Sequence, residues 1–266
     1  MTATASTSAT PASAAEAPVA IVTGGAAGIG WEIGRRLATG GYRVVAADLV
    51  PGLTETEPVD GIVHRRLDVT DPGDVAAVFD GVVAEFGRLD AVVNNAGIQR
   101  HRAIEDLAWE EWKAVVDVNL HGVFLCLQAA GRHMLAAGGG RIVNISSISS
   151  RGSAGRAPYA STKAAVIGLT ATAGAEWAAR GVRVNAVAPG YVNTGVFRQG
   201  VAAGTLSEET ILARIPAGRL AEPSEVAETV AFLLSDQASY FNGQTLYVDG
   251  GFMVDYGVPL ASVPKP

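Results

Sequence analysis

Cysteine is almost absent from this chain: Cys126 is the only one in 266 residues. No disulfide can form within one chain, which fits a reducing compartment. Because Cys126 lies inside the apolar run Val123 to Leu127, it reads as a small buried hydrophobe rather than a nucleophile. Cations are also scarce. Twenty Lys and Arg against twenty-six Asp and Glu give a net charge of −6 and a pI near 5.3. Phosphate backbones need clustered Lys and Arg, so nucleic acid is not expected as a partner. Residues Met1 to Ala17 lack both a basic start and a continuous apolar run, and are expected to be a disordered Ala/Ser/Thr tail rather than a signal peptide. No transmembrane run stands out, so a cytoplasmic protein without membrane contact is expected. No repeat of fixed period is present, which excludes a solenoid.

Apolar residues and glycine are plentiful, at 48% hydrophobic with 32 glycines. That suffices for one sizeable core, and the lack of an internal linker favours a single domain over 18–266. Val19 to Gly25 reads as a buried strand that breaks into glycines before a helical stretch, Ile29 to Thr39. Further strands are expected at Arg43 to Asp48, Ile62 to Val69, Leu89 to Asn94, Arg141 to Ser146, Val182 to Ala188 and Thr245 to Val248. Between them lie helical patterns. Asp71-Pro72 opens one with an acceptor and a first-turn proline, and Val75, Val78, Phe79, Val82, Val83 and Phe86 follow its core spacing. Trp109 to Ala137 is largely helical, as are Tyr159 to about Ala179 and Pro223 to Leu234. Strict alternation of strand and helix predicts an α/β doubly wound parallel sheet of Rossmann type with helices on both faces. Residues 195–216, rich in glycine and polar side chains with one short helical patch at Ser207 to Ala213, are expected to form a mobile segment covering the substrate, and 253–266 a C-terminal extension.

The turn Thr23-Gly24-Gly25-Ala26-Ala27-Gly28-Ile29-Gly30 stands between a strand and a helix. Glycines there permit a tight bend and close approach of a pyrophosphate to the helix N-terminus. Asp48, 18 residues past Gly30 at the next strand's end, can accept hydrogen bonds from ribose hydroxyls and repel a 2′-phosphate. Neither Ala27 nor Leu49 supplies a cation for that phosphate, so NAD is expected rather than NADP. Asp68 could reach an adenine amino group, and the Asn94-Asn95-Ala96-Gly97 strand end could touch the cofactor.

Tyr159 and Lys163 are four residues apart on one helical face, where the ammonium can ease removal of the phenolic proton. The strand Arg141 to Ser146 ends beside them at Ser146 and Ser147, either of which could hydrogen-bond a substrate oxygen. Asn119, among Val115, Val116, Val118 and Leu120, is a buried amide that needs partners.

Thr23-Gly-x-x-x-Gly28-Ile29-Gly30, Asn94-Asn95-Ala96-Gly97, Asn119, Ser147, Tyr159-x-x-x-Lys163 and Pro189-Gly190, in this order, resemble the short-chain dehydrogenase/reductase family over about Val19 to Phe252. The resemblance implies a seven-stranded Rossmann-type domain that transfers hydride between a nicotinamide cofactor and a secondary alcohol or ketone. It implies Tyr159 as acid/base, Lys163 lowering its pKa and holding the nicotinamide ribose, a serine orienting the substrate oxygen, and Asn119 keeping a proton-relay water. Cofactor contacts are implied for Gly24, Gly28, Ile29, Gly30, Asp48, Leu49, Asp68, Val69, Asn95, Ala96, Gly97, Tyr159, Lys163, Pro189, Gly190, Val192 and Thr194. No metal is expected, and a homodimer or homotetramer is. The family's serine usually precedes its tyrosine by 13 residues, which selects Ser146, whereas alignment from the strand selects Ser147. Ser147 is preferred, because strand pairing fixes register while the loop Ile148 to Pro158 can absorb a deletion.

For the substrate, Gln99, Arg100, His101, Ser149, Arg156 and Tyr191 stand near motifs that should border the pocket, and they suggest a sugar, polyol or hydroxy acid derivative. Two alternatives remain: an NADPH-dependent 3-oxoacyl-type ketoreductase, and a non-catalytic NAD(H)-binding sensor.

Overall fold

Seven short runs of β-branched and small apolar residues become strands: β1 Val19–Thr23, β2 Arg43–Asp48, β3 Ile62–Arg66, β4 Ala91–Asn94, β5 Gly140–Ile145, β6 Val182–Pro189 and β7 Thr245–Val248. In this computed structural model, which describes residues 17–50 and 59–254, they pair in parallel in the order β3-β2-β1-β4-β5-β6-β7. The expected N-terminal tail through Glu16, and residues 255–266 of the expected C-terminal extension, lie outside the described residues.

Parallel strands need helical crossovers, and these cover both faces, which is why β1 is apolar at consecutive positions rather than at alternate ones. Side chains still alternate between two cores. Ile21, Val45, Val92 and Ile142 point to one face, where they meet Phe79 of α2 (Pro72–Phe86) and Leu127 and Met134 of α4 (Gly122–Ala137). Ala20, Val22, Val44 and Val93 point to the other, packing on Ile33 and Leu37 of α1 (Gly28–Thr39) and on Val226, Val230 and Leu233 of α8 (Pro223–Leu234). The strand order reverses between β1 and β4, so a crevice opens at their carboxyl ends, where doubly wound sheets bind ligands.

Local signals explain most element boundaries. Asp71 caps α2, its carboxylate accepting from the backbone of Gly73 and Asp74, an interaction worth ~1 kcal/mol. Trp109 to Ala137 is long and apolar enough to cross a membrane, yet Val115, Val123, Cys126, Leu127, Ala130 and Met134 are buried in the protein. Burial also pushes the Cys126 thiol up to about 12, consistent with an inert core cysteine.

Three segments differ from expectation. β3 stops at Arg66 rather than Val69, because the Asp68 amide donates to Asp74 Oδ2 and turns the chain toward α2. The long helix is divided into α3 (Trp109–Val116) and α4 by a π-helical turn, Asp117–His121. Residues 195–216 carry two helices, not one patch: α6 (Gly195–Ala202) and α7 (Glu208–Leu212), capped by Thr194 and Ser207. Phe197, Ile211, Ile215 and Leu220 give this segment a small apolar core of its own, joined by Tyr191 and Phe252. The glycines at 195 and 200 hide α6 in the sequence. Gly200 is there for packing, since a Cβ would lie 2.8 Å from Leu206 Cδ1.

Candidate active site

The glycine turn joins β1 to α1 across the crevice. Gly28 takes a φ of +54°, a left-handed conformation that only glycine adopts cheaply. Gly30 is required by space instead: a Cβ would stand 2.1 Å from the Gly24 carbonyl oxygen and 2.5 Å from Asn95 Nδ2. The residue before α1, Ala27, has no side-chain acceptor, and the first turn carries no acid. Its leading N–H groups therefore remain open to an anion. The Asp48 carboxylate, at the end of β2, accepts from the Ala26 amide at 3.1 Å and so faces the loop, while Leu49 beyond it is exposed. A glycine cradle, an uncapped helix start and an adjacent carboxylate together fit an adenine dinucleotide.

Strand ends on either side hold this loop. The Thr23 hydroxyl accepts from the amides of Asn95 and Ala96, both at 3.1 Å, and Asn95 Nδ2 donates to the carbonyls of Thr23 and Gly24. Asp68 turns its carboxylate onto the Thr70 amide and hydroxyl, which hold its pKa below the ordinary value. The Val69 side chain packs in the core against Gly122. Across the sheet, Pro189 ends β6, the Gly190 amide donates to the Val248 carbonyl, and Val192 is buried in a short bridge with Ala221. Thr194 accepts from Phe197 N at 3.2 Å and starts α6.

The titratable pair rides on α5 (Ala157–Trp177). Lys163 is only 3% exposed, and its ammonium donates to the Ile145 carbonyl at 2.7 Å. Burial lowers its pKa to about 8. Nζ lies 5.7 Å from the centre of the Tyr159 ring. Tyr159 itself is half-buried. Burial raises its phenol, and two neighbours oppose that shift: a hydrogen bond from Ser147 and the positive charge of Arg156. The structure thus separates the two serines. Ser146 donates its hydroxyl to the Lys163 carbonyl at 2.8 Å, whereas Ser147 faces the phenol. The two hydroxyls thus make different contacts on α5, and that of Ser147 is the one directed at the tyrosine.

The position of α5 depends on a buried polar chain absent from the sequence reading. Asn94 Nδ2 donates to Asn144 Oδ1 at 2.8 Å, and Asn144 Nδ2 to the Thr170 hydroxyl at 2.9 Å, linking β4, β5 and α5. Asn119, in the π-helical turn, is fully buried; its amide pairs twice with the Ile98 backbone, donating to O and accepting from N, both at 2.8 Å. That fixes the segment after Gly97, whose Cα faces both Asn119 and Lys163.

A family model described as enoyl-(acyl carrier protein) reductase matches residues 24–253. Cis-4-hydroxycyclohexanecarboxylate dehydrogenase of Sinomonas cyclohexanicum is 46% identical over 241 residues, 88% of this chain and 96% of that protein. This chain belongs to the short-chain dehydrogenase/reductase family. As a short-chain dehydrogenase/reductase it transfers hydride between a nicotinamide cofactor and a secondary alcohol or ketone. A 3-oxoacyl-[acyl-carrier-protein] reductase of Staphylococcus aureus is 42% identical over 241 residues, covering 87% of this chain and 96% of its own. The solved structure of ElxO with NADP bound superposes with a TM-score of 0.83 at 32% identity, over 90% of this chain and all of the other.

On the substrate side the expected lining residues divide. Ser149 is buried, with its amide on the Ser147 hydroxyl; Arg100 is exposed and donates to the Gln99 carbonyl. Tyr191 packs edge-on to Phe197 and Phe252, as part of the apolar cluster of α6 and α7. Arg156 and His101 sit close enough for the guanidinium to help hold the imidazole below its ordinary pKa, after the larger effect of burial.

Proposed function

We propose that this enzyme uses NAD(H) to interconvert a polar secondary alcohol and its ketone, with Tyr159 as acid/base. The observation that carries this reading is the Tyr159 phenol hydrogen-bonded by Ser147 above the buried ammonium of Lys163. In oxidation the phenolate takes the hydroxyl proton as the C–H hydride leaves; in reduction the phenol returns it to the developing alkoxide. Ser147 orients the substrate oxygen, and Lys163 keeps positive charge beneath the site. Asn119 pins the Ile98 backbone, and the proton relay implied for it would run past this point. The nicotinamide cofactor supplies the hydride chemistry; Gly24, Gly28, Ile29, Gly30, Asp48, Asn95 and Ala96 would hold it.

Asp48 supports NAD over NADP, because a carboxylate facing the glycine loop repels a 2′-phosphate. Its partner in register on β3, Arg66, is already paired with Asp74 at 2.9 Å. The contrary reading, NADPH-dependent 3-oxoacyl reduction, draws on the Staphylococcus aureus relative and on the NADP seen with ElxO. For the substrate, the relative named for a hydroxycyclohexanecarboxylate favours the hydroxy acid side of the expected sugar, polyol or hydroxy acid range.

Tyr159→Phe with titration of both cofactors tests the whole reading. Turnover should fall ~1,000-fold, the scale of acid/base catalysis, while NADH binding by fluorescence stays within a factor of ~2. Undiminished turnover would remove Tyr159 from the chemistry, and tighter NADPH than NADH binding would reverse the role given to Asp48.

A further inference from the structure

The segment after Gly97 and the turn before α5 meet at the substrate edge of the cleft. Arg102 and Arg156 form an isolated parallel bridge, with the Arg102 amide donating to the Gly155 carbonyl at 2.8 Å. This contact fixes Arg156 as the non-helical residue immediately ahead of α5, three positions before Tyr159. Neighbouring arginines are occupied: Arg102 lies 3.6 Å from Glu111, and Arg151 stacks over Tyr247. Among the described residues, Arg156 has no carboxylate within ion-pair distance, although it is half-buried. Its charge is felt by the Tyr159 phenol on one side and the His101 ring on the other.

A partly desolvated guanidinium without an anion is unfavourable, and its planar fork suits a carboxylate in bidentate contact. We propose that Arg156 is the substrate-carboxylate anchor, and that the enzyme selects secondary alcohols and ketones bearing a carboxylate. The proposal rests on Tyr159 marking the reacting carbon. The anchored carboxylate also brings negative charge to the guanidinium, so part of its pull on the phenol is neutralised when an acid binds. A substrate of this class is held at two points, with the hydroxyl between Ser147 and Tyr159 and the carboxylate at Arg156.

The probes are 4-hydroxycyclohexanecarboxylate and its carboxamide, assayed with NAD on wild type, R156Q and R156K. The acid-over-amide ratio of kcat/KM should fall ~30-fold in R156Q, mainly through KM, and recover in part in R156K. Calorimetric binding of cyclohexanecarboxylate to the NADH complex should weaken by a similar factor in R156Q and survive in Tyr159→Phe. If the acid-over-amide ratio and the carboxylate affinity are both unchanged in R156Q, the anchor is elsewhere and the proposal fails, while the acid/base reading stands. Turnover surviving in Tyr159→Phe would sink the acid/base reading without altering the binding result for Arg156.

Discussion

On the nucleotide side of the cleft, the turn from Gly24 to Gly30 is held by backbone groups and short side chains: Thr23 and Asn95 bridge β1 to β4, and Asp48 reaches back to Ala26. On the side proposed for the substrate, α6 and α7 pack on a small apolar cluster of their own, separate from both sheet cores. The first edge has little freedom to shift, because Gly30 lies against the Gly24 carbonyl and short side chains tie the loop to neighbouring backbone. The second has its own apolar cluster and is tied to the rest at its ends by a few backbone hydrogen bonds, Asn193 and Tyr191 with Ala221 and Ala217 with Gly250, so local opening is expected to leave the sheet intact. A rigid edge suits a cofactor shared by many enzymes, and a separable one suits a substrate that differs between them.

The harshest way to break this contrast is Gly30→Val. Even its Cβ would fall 2.1 Å from a main-chain oxygen, so the loop must move. We expect NADH affinity to drop ~100-fold and stability to fall by about 3 kcal/mol, read by fluorescence titration and thermal unfolding. A variant that binds NADH normally would show the edge to be less rigid than its contacts indicate.

Lys163, on the floor between the two edges, offers a smaller effect with a defined sign. Its pKa is about 8 when folded against about 10.5 when unfolded, because burial penalises the charge. Below pH 8 both states are protonated and the folded enzyme bears the full penalty. Between about 8 and 10.5 only the unfolded chain keeps the proton, so stability rises with pH. Lys163→Met has no such dependence. Relative to the variant, wild type should gain at most about 3 kcal/mol between pH 7 and pH 10 in denaturant titrations. A constant difference across that range would mean that the ammonium is not desolvated.

The same division governs what the sequence makes legible. Gly28, Gly30 and Asp48 can be read directly, because a left-handed φ, a backbone close approach and a strand-end carboxylate each demand a particular residue type. β5 pairs with β6 through Ile145 and the Ser146 amide extends the pairing to the Val187 carbonyl, which fixes the position of the serines that follow, and reasoning from the strand picks the one that meets Tyr159. The early end of β3 is less legible: the strand stops at Arg66, and Val69 turns its side chain into the core. The π-helical turn at Asp117–His121 is hidden in the sequence, since the apolar helical pattern runs on through Val118 and Leu120. Nor does the apolar pattern disclose α6, whose glycines imitate a loop. Arg156 is legible as a nearby cation, but its placement ahead of α5 involves the bridge to Arg102, a contact across more than fifty residues.

The gentlest test of the contrast is Phe197→Ala. Phe197 is 6% exposed, with its ring edge-on to Tyr191 at 6.3 Å, and it anchors α6 to the apolar cluster beneath the cover. Truncation should loosen that helix while leaving β1, α1 and β2 untouched, because no member of the cluster belongs to either sheet core. The usual cost of Phe→Ala, ~3–5 kcal/mol, should be borne locally as opening of the cover, with global unfolding shifted by less than that. We expect KM for the alcohol to rise ~10-fold, kcat to change less, and the NADH dissociation constant to stay within a factor of ~2. Equal losses in substrate and cofactor binding would instead mean that the two edges move together, and the division drawn between them would not hold.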